Sequence, residues 1–267
     1  MLATVTVRVL VLVLSVDREP WRSIERDGQR TTWAAPSPLD ADVPVLYYRG
    51  RRTGLARMGV TATTRLLRLA GSDHRGSRAA GLRDDFIDRV GQHFSATAAT
   101  TVDDIVRTRV PETYSMVATK LFVALRHVLS TVEFDYVLRT NSSTYIDRAT
   151  LLERCEHLPR SGYWGGFTGE HDGVAFTSGA GTLLSRDVAT AAVSIDWNWA
   201  SIDDVALGGA LGSLGIEPMP LPRPVVASAD RVATTDLDAF MWRCKGEADR
   251  NDVATMRALH ERLGRHR

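Results

Sequence analysis

Valine and leucine dominate residues 4–14, "TVTVRVLVLVL", with Arg8 as the one charged interruption. A strand covered on both faces inside a mostly parallel sheet has this near-continuous apolar pattern. The run is too short to span a bilayer and lacks a small-residue cleavage pattern, so it reads as a buried strand. A polar stretch follows from Asp17 to Trp33, with Trp21, Ile24 and Gly28 at helical spacing, and it stops before "APSP", whose prolines cannot continue a helix. "VPVLYY" at Val43 to Tyr48 then predicts a second strand. The opening is therefore β-α-β, the repeating unit of doubly wound sheets.

Further along, "GSDHRGSRAAG" from Gly71 to Gly81 predicts an exposed loop. Between Glu112 and Leu129, Val117, Leu121, Leu125 and Val128 recur every three or four residues, the stripe of a long amphipathic helix. "FDYVL" is the next strand, and "YIDRATLLERCEHL" leads into another helix. The glycine-rich stretch Gly162 to Gly181 precedes "TLLSRDVATAAV", a strand followed by a helix. That stretch is not a phosphate loop, since no Gly-Lys-Ser/Thr follows. It is not a dinucleotide fingerprint either, because Leu184 stands in the place of the third glycine. "SIDDVALGGALGSLGI" predicts a capped helix, and "NDVATMRALHERL" a terminal one. One compact α/β domain is expected over residues 1–267.

Thirty-three basic residues against 32 acidic ones give a net charge of +1, so bulk charge shows no footprint for nucleic acid. All the basic residues except Lys120 and Lys245 are arginine. Cys155 and Cys244 fit no metal or redox spacing and predict two reduced core thiols. No histidine forms a zinc spacing, and no Gly-x-Ser-x-Gly elbow is present for a hydrolase.

Several stretches, taken in order, resemble the β-1,3-galactosyltransferase and fringe-like glycosyltransferases. The first strand followed by "ERDGQRTTW" is similar to that family's first strand and its Arg-x-x-x-Arg-x-Thr-Trp helix, here Arg26, Arg30, Thr32 and Trp33. "VPETYSMVATKLFVAL" resembles the acidic-x-Tyr helix with a lysine six residues on, here Glu112, Tyr114 and Lys120. "FTSGAGTLLSRD" resembles the family's glycine-rich strand before a Ser-Arg-Asp helix start, and "SIDDV" its Glu-Asp-Val segment. The resemblance implies a GT-A-type, mostly parallel sheet flanked by helices. Residues 1–147 would form a nucleotide-sugar-binding half and residues 148–267 an acceptor and catalytic half. The implied activity is inverting transfer of a hexose from a nucleotide sugar, a UDP-sugar by this resemblance, to a hydroxyl of a glycan or glycosylated carrier. The alternative is an inactive relative that binds nucleotide sugars or glycans.

One departure stands out. "VLRTNSSTYID" falls where the family carries Asp-Asp-Asp, and offers Asn141, Ser142 and Ser143 instead. Hard divalent cations bind through oxygens that usually include one or two anionic ones. No metal ligands are therefore expected in the chain, and any Mn²⁺ or Mg²⁺ would be held mainly by the donor diphosphate. Breaking a bond to a diphosphate leaving group builds negative charge that cations must then stabilise. Arg139, Arg243 and Lys245 are the expected donor-binding cations, with Asn141, Ser142 and Ser143 as hydrogen-bonding partners; Arg243 and Lys245 could equally be surface charges flanking a buried Trp242.

An inverting transferase needs one carboxylate as general base. Asp204 is the first candidate and Asp203 the second, against a capping box spanning Ser201 to Asp204. Ser15, Asp17 and Arg30 are further donor-side candidates. The first two follow strand one, at the edge where open α/β sheets bind ligands, although Asp17 could instead cap the next helix. Trp164, Phe167 and Trp197, with Gly179 and Gly181, are acceptor-side candidates, aromatic faces being suited to sugar C–H faces; core packing is the competing role of these rings. With no anchor in the sequence, the expected location is cytosolic or peripheral to the inner face of a membrane.

Overall fold

The computed structural model describes residues 7–74, 76–246 and 250–266. Four parallel strands form its centre: β1 (Val9–Leu14), β2 (Val45–Arg51), β4 (Ile105–Pro111) and β5 (Tyr136–Asn141). β3 (Ala99–Val102) closes one edge antiparallel to β4. On the other side β10 (Thr182–Ser185) pairs antiparallel with β5, β7 (Tyr163–Gly165) pairs antiparallel with β10, and β11 (Met219–Pro220) ends the sheet parallel to β7. The order is β11-β7-β10-β5-β1-β2-β4-β3, a mixed α/β architecture around a mostly parallel eight-stranded sheet. Two antiparallel pairs lie outside it, β6 (Thr144–Ile146) with β12 (Met241–Arg243), and the hairpin β8 (Thr168–His171) with β9 (Val174–Thr177). The Thr4–Thr6 part of the expected first strand lies outside the described residues.

The alternation along β1 explains why its sequence is apolar throughout. Leu10 and Leu12 enter one core while Val9, Val11 and Val13 enter the other, because successive side chains point to opposite faces. The adjacent Tyr47 and Tyr48 of β2 divide in the same way. One face is covered by α2 (Leu55–Leu69), α3 (Arg78–Ser95), α4 (Val117–Thr131), α6 (Arg186–Ala192) and α7 (Asp203–Ser213). The opposite face carries α5 (Arg148–His157) and α8 (Asp252–His266).

The expected helix over Asp17–Trp33 is shorter and distorted. A single turn, α1 (Trp21–Ser23), runs into a π-helical stretch, Ile24–Gln29. α2 and most of α3 were not expected at all, and the predicted loop Gly71–Gly81 ends early because α3 begins at Arg78, capped by Ser77.

Candidate functional site

After β1, the chain builds β2 and β4 on one side, then returns to place β5 on the other. The carboxyl ends of β1 and β5, paired at Leu14 and Asn141, therefore mark the switch point where open α/β sheets bind ligands. A cleft of about 560 Å³ opens there. It collects Arg139, Asn141, Ser142, Ser143, Gly179, Asp203, Asp204, Arg243 and Lys245, nine of the residues singled out from the sequence. They come from both sides of residue 147.

Each is placed by local structure. Asn141 ends β5 and accepts the Ser143 amide on its Oδ1 at 3.0 Å, a tight turn held from outside by the Gln29 side-chain amide, which donates to the Asn141 and Ser142 carbonyls at 3.2 Å. The β6–β12 ladder brings Arg243 opposite Thr144, and the Cys244 amide donates to the Ser143 carbonyl at 2.7 Å, so Arg243 and Lys245 hang over the turn. α7 enters the cleft by its N-terminus with two acids in different states. Asp203 is buried in an ion pair with Arg139, whereas Asp204 is half-buried and accepts the Gly179 amide at 3.1 Å and the Val205 amide at 3.0 Å. The capping box that competed with a catalytic role for Asp204 is absent: the cap residue is Ile202, and no side chain caps this helix.

The cleft is strongly cationic. Lys120 is buried in a pair with Glu112, whose carboxylate also accepts the Gly50 amide at 2.6 Å. Arg52 pairs with Asp17 at 2.8 Å and Arg250 with Asp252 at 3.2 Å, on residues outside the lining. Arg18, Arg57, Arg243 and Lys245 also line the cavity, giving eight cationic side chains against the carboxylates of Glu112, Asp203 and Asp204. Of those three acids, only Asp204 has no cationic partner among the described residues. Behind Arg243 lies Arg223, packed on Gly166 and Gly181, with Nε and Nη1 buried and unpartnered among the described residues. Burial and the neighbouring Arg243 charge push its guanidinium down to about 10. Positive charge concentrated in one cleft in this way suits a multiply charged anion.

The Asn141–Ser143 turn does not suit a divalent cation. Asn141 Oδ1 is already engaged, Ser143 Oγ accepts from Arg250 at 3.3 Å, and the surrounding side chains are positive. Neutral oxygens among cations are a poor donor set for Mg²⁺ or Mn²⁺. Among the described residues no group of three or more His, Cys, Asp or Glu could hold a metal.

Other sequence candidates fall elsewhere. Ser15 is 3% exposed, with its hydroxyl between Glu25 and the Arg49 guanidinium, which leaves it no free face for a ligand. Asp17 pairs with Arg22 and Arg52 beside the cleft and caps no helix, the residue before α1 being Pro20. Arg30 binds Glu25 at 3.0 Å and Asp104 at 2.5 Å and covers the Tyr47 ring, a structural role. Trp164 and Trp197 are core residues: the first packs against Tyr136, and the second stacks on Trp199 and donates its indole N–H to the Ala192 carbonyl at 2.8 Å. Neither presents a face to a sugar. Phe167 is exposed at the start of the β8–β9 hairpin, outside the cleft lining, and Gly181 serves close packing against Met241.

The sequence reading missed Arg18, Trp21, Arg52 and Arg57. All follow the carboxyl ends of β1 or β2, so the same edge rule that selected Ser15 and Asp17 could have found them. No protein-family model and no curated protein sequence matches the chain.

Proposed function

We propose that this chain is an inverting glycosyltransferase that moves a hexose from a nucleotide sugar to a hydroxyl of a glycan or glycosylated carrier, with side-chain cations in place of a carboxylate-bound metal. The observation that carries the reading is the pairing, in one cleft at the sheet's switch point, of a cation-rich lining with one lining carboxylate, Asp204, that has no cationic partner among the described residues. The resemblance in motif order to the fringe-like transferases, from Glu112 and Lys120 to the "DDV" segment, supports the donor class.

Asp204 takes the proton of the acceptor hydroxyl as its oxygen attacks the anomeric carbon. The bond from that carbon to the diphosphate oxygen breaks, and its electron pair leaves with the nucleoside diphosphate. Arg243 and Lys245 meet the charge that develops there, while Arg139, fixed by Asp203, contributes from the cleft floor. The Asn141–Ser143 turn offers neutral hydrogen-bonding groups to the donor.

A panel of nucleotide sugars, each incubated with acceptor mixtures and assayed for nucleoside diphosphate release with EDTA or Mn²⁺, tests this. Release from a UDP-hexose that EDTA does not abolish, and that Asp204→Asn removes, is expected. Tight nucleotide-sugar binding with neither transfer nor slow hydrolysis for any donor would overturn the catalytic reading and leave a binding protein.

A further inference from the structure

The charge balance of the whole chain conceals one segment. Residues 43–72 hold six arginines and no Asp or Glu. α2 occupies the latter half of this segment and is attached to the fold along only one side. Val60 is its one buried residue. Along the opposite side Leu55, Met58, Ala62, Leu66 and Leu69 repeat at spacings of three and four, so they form one continuous stripe. The four large side chains of that stripe are 86%, 64%, 66% and 79% exposed. Arg65 and Arg68 are exposed beside it, Arg68 at 3.3 Å from the exposed Asp73 that follows the helix, and Arg51 and Arg52 lie just before the helix, Arg52 paired with Asp17.

Isolated surface leucines are ordinary, but a continuous exposed stripe along a whole helix is not. The flank away from these arginines adds a second apolar feature. Ala56, Gly59 and Thr63 of α2 face Phe86, Val90 and Phe94 of α3 across a groove of about 570 Å³. Apolar stripe, apolar groove and the exposed Arg65 and Arg68 therefore lie side by side on α2.

We propose that α2 is a membrane-docking helix that lies in the interface of an anionic lipid bilayer, its leucine stripe among the acyl chains and its arginines on lipid phosphates. Charge decides the occupant. A basic helix without acids complements an anionic lipid surface, and burial of the stripe supplies the attraction that salt does not screen. No helix among the described residues is long and apolar enough to cross a membrane, so the proposed attachment lies along the surface. This inference stands apart from the reaction proposed above, because its readout is partitioning and not turnover.

The experiment sediments the full chain with sucrose-loaded vesicles of phosphatidylcholine alone or mixed with phosphatidylserine. Binding to the mixed vesicles is expected, weakened by added salt and by Arg65→Glu/Arg68→Glu at least about tenfold. Leu66→Glu/Leu69→Glu should weaken it comparably at low salt. Circular dichroism confirms that both variants fold. As a measurement on an otherwise intact surface, Met58→Cys carrying an environment-sensitive dye should shift to the blue on mixed vesicles. Failure to sediment with mixed vesicles, or sedimentation untouched by either double substitution, would overturn the proposal. So would self-association that Leu66→Glu/Leu69→Glu abolishes in the absence of vesicle binding, since a second copy would then be the occupant of the stripe.

Discussion

Arg139 and Asp203 form an ion pair under the cleft, their side chains only 4% and 11% exposed, while the next residue, Asp204, keeps a half-exposed carboxylate. Two adjacent acids thus hold different positions: one fixes a buried cation, the other faces the cavity. Asp203→Asn strips a buried guanidinium of its counter-charge and should destabilise the fold by about 3–5 kcal/mol. Asp204→Asn keeps one acceptor oxygen where the Gly179 and Val205 amides use two, so one of these bonds is lost and stability should fall by only about 1 kcal/mol. Turnover, in contrast, should fall about 100-fold or more. Urea unfolding and nucleoside diphosphate release, run on both variants, separate the two roles.

Gly179 lies against the same arginine. A Cβ built there would sit 1.6 Å from Arg139 Nη1 and 2.7 Å from its Cζ, so an alanine cannot enter without displacing the guanidinium. Gly179→Ala should cost about 1–3 kcal/mol of stability. It should also weaken donor binding, because the displaced arginine leaves the cleft floor. Gly181→Ala is the contrasting case: its Cβ would meet the Met241 sulfur at 2.4 Å and the Arg223 side chain at 3.3 Å. It should lower stability with a smaller effect on the affinity for UDP, measured by titration calorimetry.

Arg243 and Lys245 hang over the Asn141–Ser143 turn without a carboxylate partner among the described residues. Arg243→Ala and Lys245→Ala should each raise the donor KM or depress kcat by at least about tenfold, with little change in the melting temperature. The wild-type affinity for UDP should fall as salt is added, less steeply in either variant. Unchanged kinetics for both would reduce these residues to surface charges.

The central strands were legible because β1 and β5 carry apolar residues on both faces, and α4 because its stripe faces a deep core. α2 escaped because its apolar residues do not report a buried face: Leu55, Met58, Leu66 and Leu69 point outward and only Val60 is buried. Periodicity shows that a face is apolar and says nothing of what covers it. In the cleft, residues at strand ends and helix starts could be placed from order along the chain. Trp164 and Trp197 could not, since a tryptophan suits a sugar-binding face and a core equally, and here the core takes both. Arg223 gave no local signal at all; its position depends on Gly166 and Gly181 meeting across the sheet edge.

The two thiols give an alkaline prediction. Cys155 and Cys244 are buried and unoxidised. Burial, reinforced by the Asp135 charge, pushes the Cys155 thiol up to about 12, and burial with the Asp252 charge raises Cys244 as well. Burial likewise raises the Tyr136 and Tyr163 phenols. Near pH 8 both thiols should resist a disulfide reagent in the native protein and react on unfolding. In the folded chain Cys155 holds its proton above its ordinary value of 9.0, so over that interval the native state binds more protons than the unfolded one. The stabilising contribution is therefore complete below pH 9.0 and is lost as pH rises towards 12. Urea midpoints should decline through that window, and Cys155→Ala should decline less steeply, with Cys244 and the buried tyrosines accounting for the slope that remains. A midpoint independent of pH across this interval in the wild type would contradict the burial of these groups.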